Sequence, residues 1–356
     1  MKILHISDIH LDSALTSKLP SGKVRERRGE LFATFRRLLD KAEELGCRVV
    51  IIAGDLFDTD RITRRCAERA LACMELHPRV DVLYLPGNHE RQALMNCGAS
   101  LPKNLRIFGE DWTYFDYEGL RIGGASRIGE GTLGTFQKRR GALSVGVLHG
   151  TLADRSAEGG YIGTKDFDSS DIDYLALGHY HSYGAYSTPD GRSAVYCGAP
   201  EGRGFDEVGK KGFVIIDAED GRISHSFTPF AYRTLHSIEA DISTAQRVSE
   251  ADRIIEGLIG GIPREDIVRL TLVGRRPPEL TPDSEGIRLR YRDRFYYFEL
   301  KDESRIRISK EDYMYDKSVK GEFIRLVQSD TSLSDSDRER IIRLGLSALI
   351  GEGAEI

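Results

Sequence analysis

The chain has 356 residues, longer than a typical single domain, so a main domain with one or two smaller ones is expected. With 40% hydrophobic and 30% charged residues it has enough apolar side chain for a normal core, which excludes wholesale disorder, while a net charge of −5 excludes any argument for nucleic acid from bulk charge. No apolar run approaches the roughly 20 residues of a membrane span, and the N-terminus shows no signal-peptide cleavage region, so the expectation is a cytoplasmic protein without membrane contact.

The elements then follow in chain order. Residues 2–6 read as a short buried strand that ends at Ser7-Asp8, and an amphipathic helix follows over about 27–45, with Leu31, Phe35, Leu38, Leu39 and Ala42 on one stripe. A strongly β run, Arg48–Ala53, ends in Gly54-Asp55; a helix is expected near 61–77, then a strand from Val80 to Leu85 that ends in Pro86-Gly87-Asn88-His89. This alternation argues an α/β sheet with parallel crossovers. From about 105 the chain turns to short strands between Gly-rich turns, among them Leu143–Leu148, Tyr174–Leu177, Ser193–Cys197 and Gly212–Asp217. The expected architecture is two packed sheets flanked by helices over 1–230.

Around 230 the character changes. Leu235 to Ile242 predicts a strand, about 244–260 a helix, Asp266 to Val273 another strand, 275–282 a Pro-rich connector and Ile287 to Leu300 a hairpin-like stretch. That makes a small α+β unit over 231–308. The tail, 309–356, predicts amphipathic helices at about 316–328 and 335–350, with Val319, Phe323 and Leu326 on one face of the first and Ile342, Leu346 and Leu349 on one face of the second. Ser334 with Asp337 three residues on is a capping signal for the latter. The five cysteines are an odd count without a CxxC pair, which argues against a disulfide framework and against structural zinc.

Five motifs carry chemistry: Asp8-Ile9-His10, Gly54-Asp55-Leu56-Phe57-Asp58, Gly87-Asn88-His89-Glu90, His149-Gly150 and Gly178-His179-Tyr180-His181. Each alone reads as a turn, a cap or a structural histidine. Together they follow apolar strand-like runs, so all can meet at the carboxyl ends of strands, where open α/β sheets place their sites. Carboxylate, imidazole and amide ligands without thiolate suit Mn, Fe or Zn. Two cations need a carboxylate between them, and Asp55, at the end of the most apolar strand, is the natural bridge. Such a pair clamps a phosphate and activates a water. His89 could then serve the leaving oxygen. His5, on a buried strand, reads as a packed core histidine, and Trp112 and Tyr296–Phe298 read as core aromatics rather than base-stacking platforms.

The combined pattern D-x-H, G-D-x-x-D, G-N-H-[DE], H and G-H-x-H resembles the signature of calcineurin-like metallophosphoesterases. Within them, residues 4–12, 54–58, 177–181 and 198–207 resemble SbcD-type DNA-repair exonucleases and their shorter YhaO-like relatives. The resemblance implies that Asp8, His10 and His181 hold one metal, Asn88, His149 and His179 the other, with Asp55 bridging, His89 at the leaving group and Asp58 orienting His89. It further implies two divalent ions, manganese by family habit, and 3′-to-5′ exonuclease with single-strand endonuclease activity on DNA. The small domain would cap the DNA, the tail would dock a coiled-coil ATPase of the SbcC type, and homodimer formation stays open. The same site could instead act on small nucleotides or phosphoproteins, as a metallophosphatase or phosphodiesterase. A ligand-poor scaffold is the third class, and the full ligand set argues against it. Basic clusters at 25–28, 61–69, 138–140 and 275–276 read first as solvated faces.

Overall fold

The computed structural model describes residues 1–15, 19–87, 90, 93–154, 160–277, 280–307 and 316–350, the side chains of 95, 339, 343, 347 and 350 excepted. The chain divides into two compact units, Met1–Leu235 and His236–Ile356.

In the first unit, β1 (Lys2–Ile6), β2 (Val49–Ala53), β3 (Asp81–Leu85) and β4 (Leu105–Ile107) run parallel, with α1 (Ser21–Glu44), α2 (Arg64–Glu75) and the single turn α3 (Ala93–Asn96) between them. The second sheet is built from β5 (Thr113–Tyr117), β6 (Leu120–Gly124), β7 (Leu143–His149), β10 (Tyr174–Gly178), β11 (Gly184–Ser187) and β12 (Ser193–Tyr196), with the short β8 (Thr151–Ala153), β9 (Tyr161–Gly163) and α4 (Thr164–Ser169) inserted. β13 (Gly212–Glu219) and β14 (Arg222–Pro229) return antiparallel to the first sheet. Among the described residues the orders are β14-β13-β1-β2-β3-β4 and β11-β12-β10-β7-β6-β5.

The strand period of two sorts the core into layers. Ile3, Val49, Ile51 and Leu83 face Val145, Val147, Tyr174 and Ala176 between the sheets. Leu4, Ile6, Val50, Ile52 and Tyr84 face Phe35, Leu38, Leu71 and Met74 of the helices. Leu148, Leu175 and Leu177 pack outward on Phe136, Phe167 and Ile172. Strands buried on both faces read as unbroken apolar runs, which is why they were visible in the sequence. α1 starts six residues before the expected position and ends in a Schellman turn: Cys47 N–H donates to Ala42 O (2.8 Å) across Gly46, whose φ is +70°. All five cysteines are free thiols.

The second unit contains a three-stranded sheet, β15 (Leu235–Asp241), β16 (Ile267–Val273) and β18 (Tyr297–Asp302), packed on α5 (Val248–Ile259) and α6 (Ser284–Arg292). The expected hairpin over Ile287–Leu300 is corrected. Asp283 caps α6 by accepting from Gly286 N–H (2.9 Å), Ile287 and Tyr291 are buried one turn apart, and β18 pairs parallel to β16. A parallel neighbour needs a crossover, and α6 lies in it. The Pro-rich connector contains a two-residue strand, β17 (Arg275–Arg276), paired with β19 (Arg305–Ile306); residues 278 and 279 lie outside the described ones.

The tail helices are Val319–Ser329 and Asp335–Ile350. Ile324, Ile342 and Leu346 are buried with Ile306, and Phe323 and Val327 pack against them. The expected stripe on the first of these helices is therefore corrected, since Val319 and Leu326 are 73% and 62% exposed. Phe323 covers Gly345, where a Cβ would lie 2.1 Å from the ring, and the face that packs is the one carrying Phe323, Ile324 and Val327. Leu349 is likewise exposed. Among the described residues no helix is long and apolar enough to cross a membrane.

Candidate metal centre

The motif residues leave the strands at their carboxyl ends. Asp8 follows β1, Asp55 follows β2, His149 is the last residue of β7, and His179 and His181 lie just past β10. Asp8, His10, Asp55 and His179 have φ of +52°, +48°, +52° and +104°. Such values cost non-glycine residues on the order of 1–3 kcal/mol each and persist only where the surroundings enforce them. Here the loops are zipped together: Asp8 N–H donates to Gly54 O (3.0 Å), Ile9 N–H to Asp55 O (2.8 Å) and Leu11 N–H to Leu56 O (2.9 Å). His179 N–H closes the set by donating to the Asp8 carboxylate (3.1 Å). The motif glycines are explained by contact: a Cβ on Gly54 would fall 2.1 Å from His149 Nδ1, and one on Gly178 1.9 Å from Ala53 O.

Two sets of side chains converge. One ligand atom from each of Asp8, His10 and His181 lies within 4.8 Å of the others, and so do atoms of Asp8, Asp55 and His149. Asp55 Oδ2 stands 3.8 Å from His10 Nε2 and 3.3 Å from His149 Nε2, between the two sets. Asp8 and Asp55 are 1% and 2% exposed, and two carboxylates so deeply placed require compensating positive charge.

The remote nitrogens are committed outward. His149 Nδ1 meets Ala53 O (2.9 Å), His10 Nδ1 is 2.9 Å from Asp58 Oδ1, and His181 Nδ1 is 2.7 Å from Glu207 Oε1. This is the pattern of metal-ligating histidines, whose other nitrogen is fixed by a carbonyl or a carboxylate. The donor set therefore fits divalent cations. Burial works to lower the His149 pKa, but the bond to Asp55 and the charges of Asp8 and Asp55 prevail and raise it to about 9. His181 is also raised, with burial outweighed by the bond to Glu207. His179 is lowered by burial and by the neighbouring His149 charge.

His179 places its ring edge-on to His149 with centroids 5.6 Å apart, and belongs to neither convergent set. Asp58 touches His10 and Arg203 (3.1 Å), and these contacts hold its pKa at about 2. Asn88 and His89 lie outside the described residues. His5 is a core residue as expected, fully buried against the Tyr174 hydroxyl (3.3 Å) with its pKa driven to about 3 by burial. Trp112 is structural too: its indole donates to Thr132 O (3.0 Å) and meets Phe136 edge-on.

Sequence reasoning gave no role to the residues behind the candidate ligands. Glu90 accepts from Leu56 N–H (2.6 Å) and Phe57 N–H (2.5 Å), pinning the loop that carries Asp55; burial raises its pKa well above the carboxylate range. Asp12 accepts from Asp58 N–H (2.6 Å). Lys211 donates to His181 O (2.6 Å). Glu207 accepts from both His181 and Arg203. The 198–207 segment stood out in the sequence, but no local signal connects position 207 with a histidine 26 residues earlier.

A family model described as calcineurin-like phosphoesterase matches residues 1–186. Over 312 residues the chain is 25% identical to the protein named "uncharacterized metallophosphoesterase YhaO" of Bacillus subtilis (strain 168), covering 80% of this chain and 75% of that one. Solved structures it resembles include TT1561 of Thermus thermophilus (TM-score 0.41, 9% identity, 64% of this chain and 98% of that one). A dimetal phosphatase from Danio rerio gives TM-score 0.41 at 12% identity, over 63% of this chain and 95% of that one.

Proposed function

The chain belongs to the calcineurin-like phosphoesterase family and is a metal-dependent hydrolase of phosphoesters; from that premise we propose that it is a two-metal phosphodiesterase acting on DNA as a repair exonuclease. The observation that carries the two-metal reading is the Asp55 carboxylate standing between His10 and His149. Asp8, His10 and His181 would hold one cation, His149 with Asn88 and His179 the other, and Asp55 would serve both. Manganese is the proposed metal, with iron or zinc as the alternatives that this ligand set admits. When bound, the pair supplies Lewis acidity that neutralises phosphate charge and activates a water.

The chain's own residues do the rest. Asp58, Glu207 and Ala53 O hold the three imidazoles with Nε2 facing inward, which preorganises the set. His89, by its place in the motif, would give a proton to the departing oxygen.

Support for a long polyanionic substrate comes from a cleft of about 390 Å³ beside the ligand loop, lined by Leu11, Asp12, Arg25, Arg28, Phe32 and Arg69. Arg69 lies 4.0 Å over the Phe32 ring and Arg28 donates to Ala14 O (3.0 Å), so both guanidiniums are held in place at the cleft. Arginines in such a position suit phosphates flanking the one being cleaved. The exposed Leu326, Leu344 and Leu349 of the tail support docking of an SbcC-like coiled-coil ATPase as partner. The net charge of −5 favours the second reading, a small nucleotide or phosphoprotein substrate.

One experiment separates the two readings. Labelled single-stranded and duplex DNA are incubated with Mn²⁺ beside bis-p-nitrophenyl phosphate and p-nitrophenyl phosphate. Cleavage of DNA and of the diester, lost in Asp55→Ala, is the expected result. Turnover of the monoester alone would overturn the nuclease reading.

A further inference from the structure

Arg203 occupies an unusual position behind the metal centre. Its Nη1 donates to Asp58 Oδ1 (3.1 Å), while Nε and Nη2 donate to Glu207 Oε1 (3.1 and 2.9 Å). Asp58 backs His10, and Glu207 backs His181. One guanidinium therefore joins the two carboxylates that orient both histidines of the same set. Glu207 Oε1 is the shared acceptor for the His181 ring proton and for Arg203, and Glu207 Oε2 accepts Arg203 N–H (2.9 Å). The side chains of Arg203 and Glu207 are 16% and 6% exposed, so this pair is largely withdrawn from water, while Asp58 at the other end of the fork is 30% exposed.

The segment carrying the cluster is anchored independently. Glu201, 2% exposed, accepts from Thr34 Oγ1 (2.6 Å) and Tyr232 N–H (2.7 Å), and Arg27 donates to Gly202 O (2.7 Å) and to Glu201 (3.3 Å). A planar fork that must reach two carboxylates at once needs this fixed base, and lysine could not reproduce it. The other set is built differently: His149 leans on the neutral Ala53 carbonyl, and among the described residues no carboxylate backs the His179 ring.

We infer that Arg203, with Glu207, is a positioning residue that makes the Asp8–His10–His181 position the tighter of the two metal positions and the first to fill. A hydrogen bond to a carboxylate fixes the tautomer and makes the imidazole more electron-rich than one to a carbonyl does, and loss of such a partner lowers metal affinity about 10–100-fold. Arg203 supplies the charge that lets Asp58 and Glu207 stand close together without repelling each other or the ligand carboxylates. This inference rests on the two-metal reading of the site.

The test is a titration of the metal-free full-length protein with Mn²⁺, followed by paramagnetic resonance of free Mn²⁺ and by calorimetry. The wild type should show a tight and a weaker step. His181→Ala should remove the tight step and His149→Ala the weaker one. Glu207→Gln and Arg203→Lys should weaken the tight step about 10–100-fold and leave the weaker one unchanged. Melting of each metal-free variant checks folding, and Arg203→Lys stands in if Glu207→Gln does not fold. A tight step that survives His181→Ala, or equal loss at both steps in Glu207→Gln and Arg203→Lys, would overturn the inference while leaving two metals in place. Uptake of fewer than two equivalents by the wild type would overturn the two-metal reading itself, and this inference with it.

Discussion

Replacing Gly54 by alanine tests whether the glycine before Asp55 is a packing requirement of the metal centre. Two costs are expected. The first is backbone strain, because φ is +94° at Gly54, worth roughly 1–2 kcal/mol for an L-residue and offset in part by the reduced freedom of the unfolded chain. The second is collision, because the new Cβ would lie 2.1 Å from His149 Nδ1, the atom bonded to Ala53 O. Overpacking of this kind adds about 1–3 kcal/mol. Gly46 is the natural control, since its φ is +70° and nothing lies within 4 Å of its Cβ position. Gly46→Ala should therefore cost only the backbone part, about 1 kcal/mol net, a fall in melting temperature of about 2–4 °C for a unit of this size. Gly54→Ala should cost about 2–4 kcal/mol, a fall of about 4–16 °C in the metal-free protein. It should also lose the metal held by His149, because the ring must leave its place between Ala53 O and Asp55. Thermal melting and metal analysis on both variants read these effects. If Gly54→Ala melted with Gly46→Ala and bound its second equivalent as the wild type does, the packing argument would be refuted.

Asp55→Ala should lose at least one metal equivalent and nearly all turnover, because its carboxylate stands between the two ligand sets; two retained equivalents with normal rate would remove it from the bridge. His89→Asn, judged from the motif, should keep both metals and DNA binding while its rate falls by roughly 10²–10⁴; metal loss would make His89 a ligand instead. Metal uptake should be pH-dependent with a definite sign. The His149 pKa of about 9 means the ring carries a proton below that pH, and the proton must leave before Nε2 can bind metal, so affinity at that position should fall about tenfold per pH unit as pH drops. Calorimetry at about pH 7.5 in buffers of different ionisation heat should show close to one proton released per metal bound there, and no release would contradict the assignment. Deleting 309–356 should uncover Ile306 and remove Ile324, Ile342 and Leu346, lowering the stability of the second unit. Cleavage of a small diester should persist, since every described candidate ligand lies between Asp8 and His181; loss of that cleavage would show that the first unit depends on the tail.

What the sequence determined by itself is whatever local periodicity and short spacing encode. Strands buried on both faces, such as Val49–Ala53 and Tyr174–Gly178, appear as unbroken apolar runs, and ligands that immediately follow them must gather at the strand ends. Asp8, His10, Asp55, His149 and His181 were all readable for that reason, and the structure brings them together. The sequence reading failed where two periods compete. Residues 287–300 are rich in aromatic side chains that suggest strand, yet Ile287 and Tyr291 sit one helical turn apart, and the parallel pairing of β18 with β16 selects the helix. In the tail, an amphipathic pattern has more than one apolar stripe, and only the packing of Ile324 with Ile306, Ile342 and Leu346 shows which of them is buried. Only the tertiary structure could place Arg203 and Glu207 behind His181 and Asp58 behind His10, because hydrogen bonds between side chains distant in the chain leave no period in the sequence. The candidate ligands follow from where the strands end; the groups that hold those side chains in place follow from how the sheets and loops close around them.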